Sequence, residues 1–215
     1  SIAGIEQADA ILIIGSNPRI EATLVNARIR KRYLQGGLKL GLIGEQHDLS
    51  YPYDYLGAGP QSLAEIVAGK GAFADVLKKA EKPLVIIGMA AFRRADGLAL
   101  HGEIAKLAET YKLAREGWNG LGILHTAAAR VGALSMGFAP TDKTRTLQHL
   151  LDDVAAKKVK ALYLLEADEL PADKLDGAFV VYQGHHGSAV ASKADVILPG
   201  SAYSEKTAIY MNLEG

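Results

Sequence analysis

The sequence contains no cysteine. From this chain alone there is no disulfide, no thiolate nucleophile, no cysteine-ligated zinc and no cysteine-ligated iron–sulfur cluster. Nor is there an excess of charge of one sign: Lys plus Arg number 24, and Asp plus Glu number 24. That balance argues against a dedicated nucleic-acid binder or a polybasic membrane-surface binder. Long apolar runs are missing too. Leu121 to Ala139 comes nearest, but His125 and Arg130 interrupt it. A spanning helix needs about 20 predominantly apolar residues, and an arginine near its centre costs about 2.5 kcal/mol or more. The stretch reads as a buried helix, and no membrane insertion is expected. No G-x-G-x-x-G follows a predicted strand, and no G-x-x-x-x-G-K-S/T occurs. Nicotinamide-dinucleotide and P-loop sites therefore lack their fingerprints. Short repeats and low-complexity tracts are absent as well.

What is there is an ordinary globular composition, 49% hydrophobic and 22% charged over 215 residues. That is enough for one large domain or two small ones. The chain opens on Ser1-Ile2-Ala3-Gly4 and ends on Asn212-Leu213-Glu214-Gly215, with neither an initiator methionine nor a closing element. It reads as a piece of a longer polypeptide.

Strands and helices alternate. Ala10–Ile14 is a continuous apolar run ending at Gly15, as a strand buried on both faces requires. Asn17 suits a helix N-cap and Pro18 the first helical position. Ile20, Leu24, Ala27 and Leu34 then predict one helical stripe, closing on Arg28, Arg30, Lys31, Arg32 and Gly36-Gly37. Cations and glycine both suit a helix C-terminus. Residues 38–44 return as a strand, 51–57 as a loop or edge strand, and 61–68 and 73–79 as short helices. Leu84–Gly88 repeats the opening strand-to-glycine turn after Lys82-Pro83. Leu100, Ile104, Leu107 and Tyr111 mark a further helix. Leu147, Leu150, Leu151 and Val154 mark another, with Thr141 and Thr144 as possible caps. Residues 161–165, 178–182 and 196–198 read as strands. The expectation is an α/β fold of two Rossmann-like lobes, 1–80 and 81–215, with mostly parallel sheets and right-handed crossovers.

Such sheets bind ligands beyond the carboxyl ends of their strands. Four turns would line that crevice: Gly15 to Arg19, Gly88 to Arg94, Glu166 to Asp168, and Gln183 to Gly187. The first two would place helix N-termini after a glycine, which favours phosphate, and Arg19, Arg93 and Arg94 would add charge. The same turns serve equally as plain connections. His185 and His186, adjacent on an extended segment, point to opposite sides and do not make a metal pair. His47, His101, His125 and His149 are scattered without zinc spacing. Gly187-Ser188-Ala189 is no nucleophile elbow, and the carboxylates Glu166, Asp168, Glu169 and Glu205 have solvation as their default. The run Arg28–Arg32 reads as a helix terminus or subunit contact.

Several of these segments together resemble a known family. Ile14-Gly15-Ser16-Asn17-Pro18-Arg19-Ile20-Glu21-Ala22 with Asn26 to Lys31, Tyr182 to Gly187, Ala194 to Gly200, Ala202 to Ala208 and Tyr210 to Gly215 are similar to blocks of the large iron–sulfur subunit of NADH:quinone oxidoreductase. This is respiratory complex I, and the subunit is the one called 75-kDa in mitochondria, with its counterpart in bacteria. The blocks run in order through nearly the whole chain. The resemblance implies the C-terminal, molybdopterin-oxidoreductase-like region of that subunit. It implies a non-catalytic scaffold supporting electron transfer from NADH to quinone. Other hydrophilic-arm subunits are the expected partners. The expected place is peripheral, on the cytoplasmic side of a bacterial inner membrane or the matrix side in mitochondria.

In molybdenum enzymes of the wider family a bis-pterin dinucleotide sits against such turns. Gly15, Asn17, Arg19, Gly88, Gln183, His185 and His186 are accordingly expected as vestigial crevice positions, with no cofactor in this segment. The 2Fe-2S and 4Fe-4S clusters are expected on a missing N-terminal part. Many molybdenum enzymes read Glu-x-x-Gly-Thr where this chain has Glu205-Lys206-Thr207-Ala208-Ile209, which favours the complex I branch. The alternatives are the cofactor domain of a molybdenum or tungsten bis-pterin oxidoreductase, or a residual nucleotide or anion site in the inherited crevice.

Overall fold

The structure, a computed structural model, describes residues 2–142 and 144–212. The terminal Leu213-Glu214-Gly215 of the last sequence block lies outside them. The chain forms two compact units, residues 1–132 with 211–215, and residues 133–210.

The first unit is built on a five-stranded sheet in which every pair is parallel. Its strands are β1 (Ala10–Ile14), β2 (Lys39–Ile43), β3 (Asp54–Gly57), β4 (Pro83–Gly88) and, after a two-residue antiparallel ribbon of β5 (Ala114–Arg115) and β6 (Trp118–Asn119), β7 (Leu121–Leu124). The order is β3-β2-β1-β4-β7, so the winding reverses between β1 and β4. The apolar runs of β1 and β4 follow from this position, because both of their faces are covered. On one face Leu12, Ile14, Val85 and Ile87 pack beneath α4 (Pro60–Val67), α5 (Ala72–Lys79) and α6 (Gly97–Thr110). On the other, Ile11, Ile13, Leu42 and Ile86 pack beneath α1 (Ile2–Ile5) and α3 (Thr23–Leu34). Ile11, Leu12 and Ile13 are fully buried, each contributing about 1.5–3 kcal/mol of apolar transfer.

The second unit has a three-stranded parallel sheet, order β10-β9-β8, from β8 (Ala161–Leu165), β9 (Phe179–Gly184) and β10 (Val196–Pro199). The helix α8 (Leu147–Ala155) covers one face. Leu151, Val154, Leu162, Leu164, Val180 and Tyr182 form the core between them. The chain passes from the first unit to the second within α7 (Ala128–Ser135).

Four expectations need correction. The division expected at residue 80 falls inside the first sheet, where β4 pairs directly with β1 from Ala10↔Pro83 to Ile14↔Ile87. Lys82-Pro83 punctuates the entry to a strand of the same sheet, and the chain divides near residue 132 instead. The stretch Leu121–Ala139 is no single helix: β-sheet pairing with β4 takes Leu121–Leu124, and only Ala128–Ser135 is helical. The stripe Ile20, Leu24, Leu34 is exposed, at 77%, 66% and 65%. The backbone turns at Ala22 (φ −151°, ψ 69°), splitting the expected helix into α2 (Pro18–Glu21) and α3, which buries Val25, Asn26 and Ile29. The cap of α8 is Thr146, whose N–H donates to His149 Nδ1 at 3.1 Å, not Thr141 or Thr144.

Candidate functional site

In the first unit Gly15 and Gly88 end the neighbouring strands β1 and β4, at the point where the winding reverses. Gly15 stands at φ +57°, the left-handed region that glycine enters without a Cβ clash. A methyl on Gly88 would drive into the Gly15 carbonyl oxygen and stand 2.9 Å from Ser16 Cβ. The two turns are therefore pressed together. Beside them lies a cavity of about 220 Å³ lined by Gly15, Gly44, Glu45, Gly59, Ala91 and Arg94 among others. That is below the roughly 300–1,000 Å³ of common small-molecule sites.

The polar groups of the first turn are largely committed to one another. Glu21 reaches back to accept from the Asn17 N–H at 2.8 Å and from the Ser16 hydroxyl at 2.9 Å. These are donors that a phosphate would otherwise take. Asn17 occupies the cap position, but its side chain makes no cap bond, and its Oδ1 is buried without a partner. Arg19 faces Asp48, donating to its carbonyl at 2.9 Å and to its carboxylate. Ser50 N–H and then Arg19 hold the Asp48 carboxyl below its usual range. After β4 comes a 3-10 turn, Met89–Arg93, where an α-helix was expected to begin. Arg94 there is tied to Asp96 through two bonds at 2.7 and 3.0 Å. Arg28 and Lys31 of the basic run both pair with Glu6, which makes that run a helix terminus held to α1. His125, after β7, keeps a buried Nδ1 without a partner, and burial with Arg130 lowers its pKa.

In the second unit the carboxyl edge of the sheet gathers Glu166, Asp168, Gln183, His185 and His186. Glu166 takes φ +49° and donates its N–H to the Gln183 carbonyl at 2.8 Å. Its carboxylate accepts from Lys206 Nζ at 3.0 and 3.1 Å and lies 3.3 Å from His185 Nδ1. Lys206 first, and His185 after it, hold the Glu166 carboxyl below its usual range. Tyr182, itself buried, donates its hydroxyl to Asp168 at 2.5 Å. That bond lowers the Asp168 carboxyl and raises the Tyr182 phenol. The His185 and His186 rings, expected on opposite sides of an extended segment, instead meet edge to face at 4.4 Å between centroids, because the strand ends at Gly184 and the backbone bends after it. Gln183 accepts from the Tyr163 hydroxyl.

Of the sequence-predicted positions, Gly15, Asn17 and Gly88 come together in the first unit and Gln183, His185 and His186 in the second, while Arg19 turns away to Asp48. Glu21 and Lys206 complete the two networks, and the blocks in which they stand give no sign that they partner Asn17 and Glu166. A carboxylate four residues after Asn17 is the single hint for Glu21. Among the described residues no group of three His, Asp or Glu is placed to hold a metal ion. The carboxylates at the second edge are lowered and the tyrosine raised, which moves them away from the near-neutral values that general acids and bases use.

Open parallel sheets, a winding reversal and glycine turns at its carboxyl edge define the nucleotide-fold class of α/β proteins. The chain belongs, over residues 1–215, to the molybdopterin oxidoreductase family. Its curated relatives include an NADH-quinone oxidoreductase subunit of Rickettsia bellii (strain RML369-C), 44% identical over 215 residues, which are all of this chain and 30% of that protein. They include NADH dehydrogenase (ubiquinone) iron-sulfur protein 1, mitochondrial, of Solanum tuberosum, 42% identical over 216 residues, all of this chain and 28% of that protein. The NADH-ubiquinone oxidoreductase 75 kDa subunit of Reclinomonas americana is 43% identical, again over all of this chain and 30% of that protein. The chain thus spans under a third of the length of these relatives. Among solved structures, a formyltransferase/hydrolase complex from Methylorubrum extorquens shares the fold, with a TM-score of 0.56 at 18% identity, covering 93% of this chain and 64% of that one.

The family name implies a pterin cofactor. The residues present do not fit an anionic pterin dinucleotide. Carboxylates stand at both edges, Glu45 in the first-unit cavity and Glu166 with Asp168 in the second unit. Arg19 and Arg94, cations that follow the two glycine turns in sequence, are bonded to the chain's own carboxylates. The orphaned Asn17 Oδ1 is the feature that would welcome a donor, and one acceptor does not offset that charge.

Proposed function

We propose that this chain is a non-catalytic scaffold domain within the iron–sulfur subunit of an NADH:quinone oxidoreductase. In that role it supports electron transfer from NADH to quinone without performing bond chemistry. The observation that carries the reading is identity of 41–44% along the entire chain to subunits of such oxidoreductases from bacteria and mitochondria. The site geometry supports it. The inherited crevice edges have become internally paired, Glu21 on Asn17 and Ser16, and Lys206 on Glu166. Such pairing rigidifies a body that others pack against.

The domain then holds no cofactor itself, and 2Fe-2S and 4Fe-4S clusters belong to other parts of the subunit. Its partners are other hydrophilic-arm subunits. It lies peripherally, on the cytoplasmic or matrix side; among the described residues no helix is long and apolar enough to cross a membrane. Metal analysis and extracted-pterin fluorescence on the full-length protein from its native host test the reading. Iron without molybdenum, tungsten or pterin is the expected result. Stoichiometric molybdenum or tungsten with pterin overturns it in favour of a bis-pterin oxidoreductase.

A further inference from the structure

The outward side of α3 in the first unit carries a seam. Leu24, Ala27, Lys31 and Leu34 are all exposed and follow one another at intervals of three, four and three residues. At about 100° per residue they fall within an arc of roughly 80°, opposite the buried Val25, Asn26 and Ile29. Ile20 of α2 precedes them and is exposed as well. Alternating intervals of three and four are the spacing of core positions where one helix packs along another. Apolar residues scattered singly over a surface need no explanation, but a row of them marks a contact. The charge on this helix is of one sign. It holds Arg28, Arg30, Lys31 and Arg32 and no carboxylate. Arg28 and Lys31 share the single carboxylate of Glu6. Arg32 donates to the carbonyls of Ala8 at 2.8 Å and Gly36 at 2.7 Å. The Arg30 guanidinium has no hydrogen-bond or ion-pair partner among the described residues.

We infer that this side of α3 docks an acidic amphipathic α-helix of another subunit of the same oxidoreductase. That helix is apolar along its seam and carries Asp or Glu beside Arg30 and Lys31. The inference rests on the reading of this chain as part of one subunit of such an assembly. Spacing selects a helix, because four seam positions over about 15 Å of axis form holes that the side chains of a second helix fill. Charge selects its sign. In such a pair Lys31 lies in the seam, and Arg28 and Arg30 lie on its two flanks, where interhelical ion pairs choose the partner. One Glu6 carboxylate stands against Arg28 and Lys31, and Arg30 stands alone, so the face keeps an excess of positive charge that acidic side chains complement. Composition selects a separate subunit. Where this chain packs on itself it buries no charged side chain among the described residues, whereas subunit interfaces are polar at the rim and enriched in arginine.

A benzophenone amino acid placed at Leu24, and separately at Leu34, tests this in the intact complex purified from its host. Irradiation is expected to join both positions to one peptide of another subunit, with apolar residues three and four apart and carboxylates beside them. The same probe at Ala105, on the exposed side of α6, is expected to miss that peptide. Arg30→Glu should abolish both crosslinks, and arginine in place of the facing carboxylate should restore them. Crosslinks to the same polypeptide, to a second copy, to lipid, to a segment without carboxylates, or to solvent alone overturn the inference. Crosslinks that survive Arg30→Glu unchanged overturn it equally. In each of these cases a complex that purifies with the chain in place leaves the scaffold reading standing. A chain that purifies without other subunits overturns that reading, and the docking helix with it.

Discussion

At the scale of single residues, the two networks act through charge. Glu166 is ionised and bonded to Lys206 in the folded chain, and its carboxyl lies below its ordinary value of 4.5. A depressed carboxyl contributes stability that is fully present above its unfolded value and is lost as pH falls through its folded one. Chemical denaturation followed from pH 7 down to pH 3 should therefore show a loss below about pH 4.5, and Lys206→Met should flatten that step. The pair is about one-third exposed on each side, so the substitution should cost under about 1 kcal/mol at neutral pH.

The Tyr182–Asp168 bond is deeper in the core, since Tyr182 is 1% exposed. Tyr182→Phe should cost about 1–3 kcal/mol. It should also return the Asp168 carboxyl toward its usual range, readable by NMR titration of its side-chain carbon. An unchanged Asp168 titration would show that the hydroxyl is not its dominant partner.

At the scale of elements, the first sheet depends on close approach between β2 and α5. A methyl added at Gly41 would stand 2.8 Å from the ring of Phe73 and 2.9 Å from Leu56 Cδ1. Gly41→Ala should cost about 1–3 kcal/mol through overpacking. Phe73→Leu should recover part of that loss in a double-mutant cycle on the denaturation midpoint. Strand β2 was legible from its apolar run and flanking glycines. The role of Gly41 was not, because a strand glycine looks the same whether it faces a ring or open space.

The helix after β1 shows the reverse case. Its presence and its closing arginines were readable, but its starting point and its buried face were not. One bent residue, Ala22, rotates the stripe so that Val25 and Ile29 go inward and Leu24 outward. Periodicity assumes a continuous helix, and a break shifts the phase of everything after it.

At the scale of the whole molecule, stability should be graded by position in the sheets. Strand β1 is hydrogen-bonded on both sides by β2 and β4 and buried throughout. Strand β10 is an edge strand exposed along its length. Native-state hydrogen exchange should find the amides of Ile11–Ile14 among the slowest and those of Val196–Leu198 among the fastest. Equal protection of the two strands would contradict this ordering.

The sequence by itself determined the class of the protein. Continuous apolar runs ending in glycine, alternating with helical segments, dictate parallel strands and crossovers, since strands buried on both faces leave no room for alternation. The ordered blocks from Ile14 to Gly215 carried the family. Only the tertiary structure decided which strands share a sheet, and so where the two units divide. Pairing of β4 with β1 is a contact between residues some seventy positions apart, which no local pattern encodes. It likewise decided that Arg19 and Arg94 bond to Asp48 and Asp96 and that Glu21 and Lys206 close their networks. A side chain's partner is set by which backbone segments fold next to it, and the charge of a residue says only what kind of partner it needs.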